Sequence, residues 1–99
     1  MIYTQNMRLD LFLKVSRLIV RRSLAQAFCD ANKVKVNGMA AKSSKEIKAG
    51  DEIEIRRKNR LTRVSVLTVP DKKQMSKAGA ETLYKVLADE MLEEPSPLA

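Results

Sequence analysis

The segment from Arg8 to Ser23 reads RLDLFLKVSRLIVRRS and decides the fold, because it holds an apolar pattern and a cluster of positive charge together. Its apolar or small residues recur three or four positions apart, as on one side of a helix. They are Leu9, Phe12, Leu13, Ser16, Ile19 and Val20. A second stripe, about a third of a turn away, holds Asp10, Lys14, Arg17 and Arg21. We therefore predict one helix with a core face and a basic face beside it.

A second helix is predicted to begin at Ser23. Gln26 follows three residues later, which is the spacing of a capping box, where two side chains bind backbone N–H groups at a helix start. This helix should run to about Ala31, with Asn32 as a left-handed stop in place of glycine. The two helices would then meet at a tight, basic corner.

The middle of the chain has the pattern of a small sheet. Residues 33–36 alternate polar and β-branched side chains before Asn37-Gly38, a pair that suits a type I′ hairpin turn. Residues 52–57 alternate again, and Lys58-Asn59 separates them from a further predicted strand at 61–69. This part of the chain should form several short, mostly antiparallel strands.

Helical spacing returns from Ser76 and predicts a third helix that closes the chain. Its apolar positions are Ala80, Leu83, Tyr84, Leu87 and Met91. An extra apolar side of the first helix is formed by Leu11, Val15 and Leu18. The third helix could cover it through Leu83, Leu87 and Met91; left uncovered, it would mark a contact with another protein. The predicted class is α+β: a two-helix motif on a small, mostly antiparallel sheet, with a C-terminal helix. Residues 1–6 would be a flexible leader, 7–69 the main domain, and 70–99 the last helix and an acidic tail.

Charge indicates a polyanionic partner. The 99 residues include 19 Lys and Arg against 12 Asp and Glu, for a net charge of +7. The excess lies in residues 7–69, which carry 15 basic and 6 acidic side chains. Such a balance favours nucleic acid, with an anionic membrane surface as the other possibility.

Several classes of function find no support in the sequence. The chain has no His, a single Cys and no Gly-rich phosphate loop, so we expect no enzyme, no metal site and no cofactor. It also lacks an apolar stretch of about 20 residues or a secretory pattern. We expect a soluble, cytoplasmic protein with no membrane partner.

Short motifs in a fixed order resemble the RNA-binding domain named after ribosomal protein S4. They are Arg8-Leu-Asp10, Phe12-Leu-Lys14, Ser16-Arg17, Arg21-Arg22-Ser23-x-Ala25, Val34-x-Val36-Asn37-Gly38 and Lys48-x-Gly50-Asp51-x-Ile53. The chain resembles the short free-standing members of that family, of the heat-shock and ribosome quality-control type. The resemblance implies binding to ribosomal RNA and tRNA on large ribosomal subunits that peptidyl-tRNA still obstructs.

The candidate RNA-binding residues are basic or polar positions on the helices and the adjoining strand and loop. They are Arg8, Lys14, Arg17, Arg21, Arg22, Ser23, Lys33, Lys35, Asn37 and Lys42. Arginine suits this role because its guanidinium fork can contact two phosphate oxygens and stack on a base. The start of the second helix would add a partial positive charge beside Arg21 and Arg22.

Structural roles compete with RNA binding at several of these positions. Arg8 could equally be structural or bind RNA. Ser23 is expected mainly as a helix cap, and Asp10 as an organiser that pairs with Lys14 one turn later. Lys33 and Lys35 could simply solubilise an open strand. A second basic cluster, in residues 56–63, could contact RNA or prevent edge-to-edge pairing with the strands of other molecules.

Three functions remain open, and the first of them is the one that the family resemblance implies. The first is a factor that binds ribosomal RNA and tRNA in the rescue of stalled large subunits and is monomeric away from the ribosome. The second is a general ribosome-assembly factor or RNA chaperone. The third is a protein-recruiting adaptor whose basic face serves solubility.

Overall fold

The computed structural model describes residues 6–70 and 76–91, and it confirms an α+β fold built on antiparallel strands. The elements, in chain order, are β1 (Met7–Arg8), α1 (Leu9–Val15), α2 (Arg22–Asp30), β2 (Val34–Val36), β3 (Met39–Ala40), β4 (Glu46–Ile47), β5 (Glu52–Arg57), β6 (Arg60–Val66), α3 (Lys77–Glu81) and β7 (Tyr84–Met91). The predicted leader falls almost wholly, and the predicted acidic tail wholly, outside the described residues.

The main sheet has five strands in the order β3-β2-β5-β6-β7, and every pairing is antiparallel. A separate two-stranded sheet pairs β1 with β4. The hairpin between β2 and β3 turns at Asn37 and Gly38, whose φ angles are +53° and +84°. Both angles are positive, as a type I′ turn requires, so the predicted turn is confirmed.

The core lies between the helix pair and one face of the sheet. Phe12 and Leu13 of α1 are fully buried, as are Ile53 and Ile55 of β5 and Val64 of β6. The strand residues alternate between buried and exposed positions, because successive side chains point to opposite faces. The α1–α2 pair is thereby packed against the sheet through its buried side.

The first helix is shorter than the sequence predicts. It ends at Val15, with Ser16 as its C-cap and Arg17 in the left-handed region at φ +61°. The amide of Ile19 donates to the carbonyl of Leu13, which turns the chain so that Ile19 is buried while Val20 is 76% exposed. Apolar residues continue at helical spacing past residue 15, but the backbone leaves the helix there. Arg17 and Arg21 therefore lie outside α1, not on the predicted helical stripe.

The predicted C-terminal helix is wrong for most of its length. It begins as expected, because the Ser76 hydroxyl accepts a hydrogen bond from the Gly79 amide. It ends at Glu81, and the Thr82 hydroxyl donates to the Gly79 carbonyl at the helix end. Residues 84–91 then form strand β7.

Strand β7 forms because β6 offers it a row of backbone partners. Tyr84 pairs with Val66 and Met91 with Arg60, with one bulge in which Leu87 is the extra residue. Aromatic and β-branched residues such as Tyr84 and Val86 also favour strands. Spacing of apolar residues alone did not reveal this partner.

The helix predicted to cover the apolar side of α1 ends at Glu81, before the three residues that were expected to make the contact. Val15 is buried, and Leu11 and Leu18 are half-buried against the core. Of the predicted covering residues, Leu83 is buried in the same core cluster as Val15, whereas Leu87 and Met91 are 46% and 71% exposed on β7. In the ranges that the structure describes, no helix is long and apolar enough to span a membrane.

Candidate nucleic-acid interface

The carboxylate of Asp10 is fully buried and holds together a cluster with Arg8, Arg22 and Gln26, at the centre of the basic surface that the two helices form. Its Oδ2 accepts hydrogen bonds from Nε2 of Gln26 at 2.8 Å and from Nε of Arg22 at 3.2 Å. Its Oδ1 accepts from the Leu11 amide at 2.8 Å and from Nε of Arg8 at 3.2 Å. A buried charge is stable only when it is paired and hydrogen-bonded, and Asp10 meets both conditions.

The same contacts keep Asp10 ionised. Burial alone would raise the pKa of its carboxyl group, but the hydrogen bonds from Gln26, Arg22, Arg8 and the Leu11 amide together hold that pKa below its ordinary value of 3.8. The Arg8 and Arg22 side chains stay 48% and 41% exposed. Asp10 therefore holds two guanidinium groups in place while leaving them open to a ligand.

The prediction that Asp10 organises the side chains around it is confirmed, but its partners differ from the predicted one. The sequence pointed to Lys14, one turn along α1. The structure instead places Asp10 at the start of α1, where it bridges to α2. Gln26 was missed as a partner because it was assigned to a capping box.

The predicted capping box does not form at the start of α2. The N-cap is Arg21, with no side-chain cap, so the helix begins one residue earlier than predicted and Ser23 lies exposed inside its first turn. Amides in the first turn of a helix have no intrahelical acceptor, and the helix dipole adds partial positive charge there. Arg21 and Arg22 stand on either side of the helix start, which concentrates positive charge at this corner.

The loop between the helices carries Arg17, which is exposed. A guanidinium of the sheet supports this loop: Nη2 of Arg57 donates to the Leu18 carbonyl, and its Nη1 donates to the Thr62 hydroxyl at 3.4 Å. Lys14, in the last turn of α1, is half-buried. The loop is therefore braced from the sheet.

A second loop, residues 41–45, lies against the start of α1. The amides of Leu9 and Asp10 donate to the carbonyls of Lys45 and Ser43, at 2.7 and 3.1 Å. Lys42 borders two shallow clefts of about 380 and 330 Å³ in this region. The contacts bring Lys45, which the sequence reasoning had not selected, close to the Asp10 cluster.

The candidates on the sheet side have other neighbours. Nζ of Lys33 lies 5.4 Å from the centroid of the Phe28 ring, and Lys35 is exposed on β2. Asn37 has a clear structural role: its side chain donates to Asp51 at 3.2 Å and accepts from the Glu52 amide at 3.0 Å. These contacts fix the β2–β3 turn to the start of β5.

The second basic cluster is partly neutralised. Arg60 forms a two-pronged pair with Asp89 at 2.7 Å, which joins β6 to β7. Arg63 lies 3.3 Å from Glu54 and 3.7 Å from Glu52. For these two arginines the structure favours a role in the sheet over RNA contact.

Comparison with known proteins finds relatives over most of the chain. The family model of the S4 domain matches residues 7–53. The RQC P-site tRNA stabilizing factor of Streptococcus pneumoniae strain R6 is 43% identical over 88 residues, covering 89% of this chain and 98% of that protein. Its namesake from Bacillus subtilis strain 168 is also 43% identical over 88 residues, covering 89% and 100%.

Two solved structures share the fold. Heat Shock Protein 15 of Vibrio cholerae, a trimeric structure, has a TM-score of 0.77 at 30% identity and covers 85% of this chain and 84% of its own. The solution structure of a hypothetical protein, HP1423, has a TM-score of 0.73 at 33% identity and covers 85% and 100%. With an S4 domain and 43% identity over almost the full length of the Streptococcus pneumoniae and Bacillus subtilis relatives, this chain belongs to the family of RQC P-site tRNA stabilizing factors.

Proposed function

We propose that this protein binds ribosomal RNA and peptidyl-tRNA on large ribosomal subunits whose translation has stalled, and that it stabilises the tRNA there. The observation that carries the proposal is the cluster of cations at the starts of the two helices. Asp10 holds the half-exposed guanidinium groups of Arg8, at the start of α1, and Arg22, at the start of α2, and the exposed Arg21 is the N-cap of α2. Relatives that match nearly the whole chain carry the name of a P-site tRNA stabilizing factor.

Recognition would depend on phosphate geometry and RNA shape. A-form RNA has a major groove too narrow for side chains to read, so proteins contact its backbone and its shallow minor groove. Arginines that are already oriented lose less freedom when they bind, which leaves more of the interaction energy as affinity. Each neutralised phosphate releases counterions, so affinity should fall steeply as salt rises.

The same proposal covers the setting of the protein. It acts as a binding factor without catalysis, in the cytoplasm with the ribosomes, and as a monomer when it is off the ribosome. Two chemical observations support a non-enzymatic role. The clustered arginines and lysines supply positive charge for binding, and the sequence has no His to serve as a general base beside a nucleophile.

The test is co-sedimentation with large subunits, with and without bound peptidyl-tRNA. The test variant reverses two charges, Arg17→Glu and Arg21→Glu, and leaves Arg22 intact because that residue also stabilises Asp10. The control reverses Lys58 and Lys85, two exposed lysines, for the same change in net charge.

We expect the test variant to lose binding and the control to keep it. Unaltered co-sedimentation of the test variant would refute RNA binding through this surface. Equal binding to subunits with and without peptidyl-tRNA would replace the proposal with a general assembly role.

A further inference from the structure

A cleft of about 350 Å³ lies where the α1–α2 loop meets the C-terminal elements α3 and β7. Arg17 and Val20 line it from the loop, and Lys77, Glu81 and Tyr84 line it from α3 and β7. Its volume falls within the range of about 300–1,000 Å³ typical of small-ligand pockets. Three of these side chains lie outside residues 7–53, the part that matches the S4 domain.

The chemistry of the walls is mixed in a way that suits one nucleotide. The half-buried Tyr84 packs against the core, and Val20 is 76% exposed, so an aromatic and an aliphatic surface border the same space. Arg17 and Lys77 add positive charge, and Glu81 adds a hydrogen-bond acceptor. An RNA base offers an apolar face and N–H donors at its edge, and its phosphate is an anion.

The backbone at the cleft is also unusual. Arg17 adopts φ +61°, which is an uncommon conformation for a residue other than glycine, asparagine or aspartate. Such conformations persist where the surrounding structure enforces them, and they concentrate at ligand-binding sites. Here the buried Ser16 and Ile19 flank the loop and hold Arg17 at the cleft.

We propose that this cleft holds one unstacked nucleotide of the bound RNA, with its base between Tyr84 and Val20 and its phosphate beside Arg17 and Lys77. Glu81 accepts a hydrogen bond from the edge of the base. The inference rests on the proposed RNA-binding function and adds a second element to it: the C-terminal segment reads a flipped-out nucleotide while the α1–α2 corner contacts the backbone.

The experiment compares two RNA hairpins with the same stem, one fully paired and one with a single bulged 2-aminopurine. Stacking on an aromatic ring makes the bulged hairpin bind more tightly, by on the order of 5- to 100-fold. The fluorescence of 2-aminopurine should fall as the base stacks on Tyr84. Tyr84→Leu keeps an apolar side chain against the core but removes the ring, so it should abolish both the preference and the quenching.

Two further variants separate this inference from the proposed function. Val86→Ala changes an exposed side chain of the same strand and should leave both readouts as in the unaltered protein. Arg21→Ala should weaken binding to both hairpins alike. If the unaltered protein binds both hairpins equally, or if Tyr84→Leu weakens both equally while remaining folded by urea titration, the nucleotide site is refuted and RNA binding stands. If neither hairpin binds, both proposals fail.

Discussion

Arg57 donates a hydrogen bond of 2.6 Å to the carbonyl oxygen of Leu18, 39 residues earlier in the chain. The donor belongs to the end of β5 and the acceptor to the loop that carries Arg17. A sheet residue thus fixes the position of a loop on the proposed RNA-binding surface. A basic side chain that sequence reasoning assigned either to RNA or to strand protection has a third role, which is to support the loop.

Removal of this support should weaken RNA binding without loss of a direct contact. We expect Arg57→Ala to lower the free energy of unfolding by about 1.5–3 kcal/mol, since hydrogen bonds to charged groups contribute roughly that much. Hydrogen exchange should show faster opening of residues 16–21. The matched control is Arg56→Ala, which removes the same charge from the neighbouring, exposed position; equal effects of the two variants would contradict the role of Arg57.

Asp10→Asn should destabilise the fold although it preserves the shape of the side chain. The amide cannot accept the same set of charged hydrogen bonds, and Arg8 and Arg22 lose their counter-charge. We expect a loss of about 1–3 kcal/mol in the free energy of unfolding, measured by urea titration. Asp30→Asn, an exposed position at the end of α2, is the control and should change little. Similar losses in both variants would argue against a special role for Asp10.

The contribution of Asp10 to stability should depend on pH in one direction. Its pKa in the folded protein lies below the ordinary value of 3.8, so ionised Asp10 stabilises the folded state. That stability is fully present above the unfolded pKa and is lost as pH falls through the folded pKa. The urea midpoints of the unaltered protein and Asp10→Asn should therefore differ at pH 7, and the difference should shrink as the pH falls below 3.8 and through the pKa of Asp10 in the folded protein. A difference that does not shrink at any acidic pH at which the protein stays folded would rule out this linkage.

Arg21→Ala should isolate the electrostatic part of RNA binding. Arg21 is exposed at the N-cap of α2 and makes no side-chain cap there, so its removal should leave stability almost unchanged. The slope of log affinity against log salt should become less steep by up to about one unit, and similarly for unrelated structured RNAs. A loss confined to one RNA sequence would contradict recognition by phosphate and shape. Lys58→Ala, on the hairpin tip, is the control.

Cys29 should be inert in the folded protein. Its side chain is buried, and burial, followed by the charges of Asp10 and Asp30, raises the pKa of its thiol to about 11. At pH 8 only on the order of one thiol in a thousand is then a thiolate, the form that reacts. A disulfide reagent such as DTNB should modify the urea-unfolded protein in seconds and the native protein far more slowly. Equal rates would show that the site opens readily.

The sequence correctly predicted the turns and the strand alternation, because neighbouring residues alone determine them. The positive φ angles of the Asn37-Gly38 turn and of Asn32 follow from the side chains themselves. The alternation that buries Ile53 and Ile55 was equally readable. These features depend on a few neighbouring residues, so a single sequence contains them.

Parts that depend on distant partners were not readable in the same way. Strand β7 forms because the edge of β6 offers backbone hydrogen-bond partners, and nothing in the sequence of residues 84–91 indicates that this edge lies beside them. The same holds for Asp10, whose partners Arg22 and Gln26 come from another helix. The basic surface was predicted from composition and spacing, but its internal order required the tertiary contacts.

The bulge in β7 also affects how the protein behaves at high concentration. A regular outer strand with exposed Val86 and Leu87 would be a template on which a second molecule could extend the sheet. The extra residue at Leu87 interrupts the ladder after three paired residues and increases the local twist. Crowded chains would thus meet two short, misaligned segments in place of one long edge, which limits aggregation through this side of the sheet.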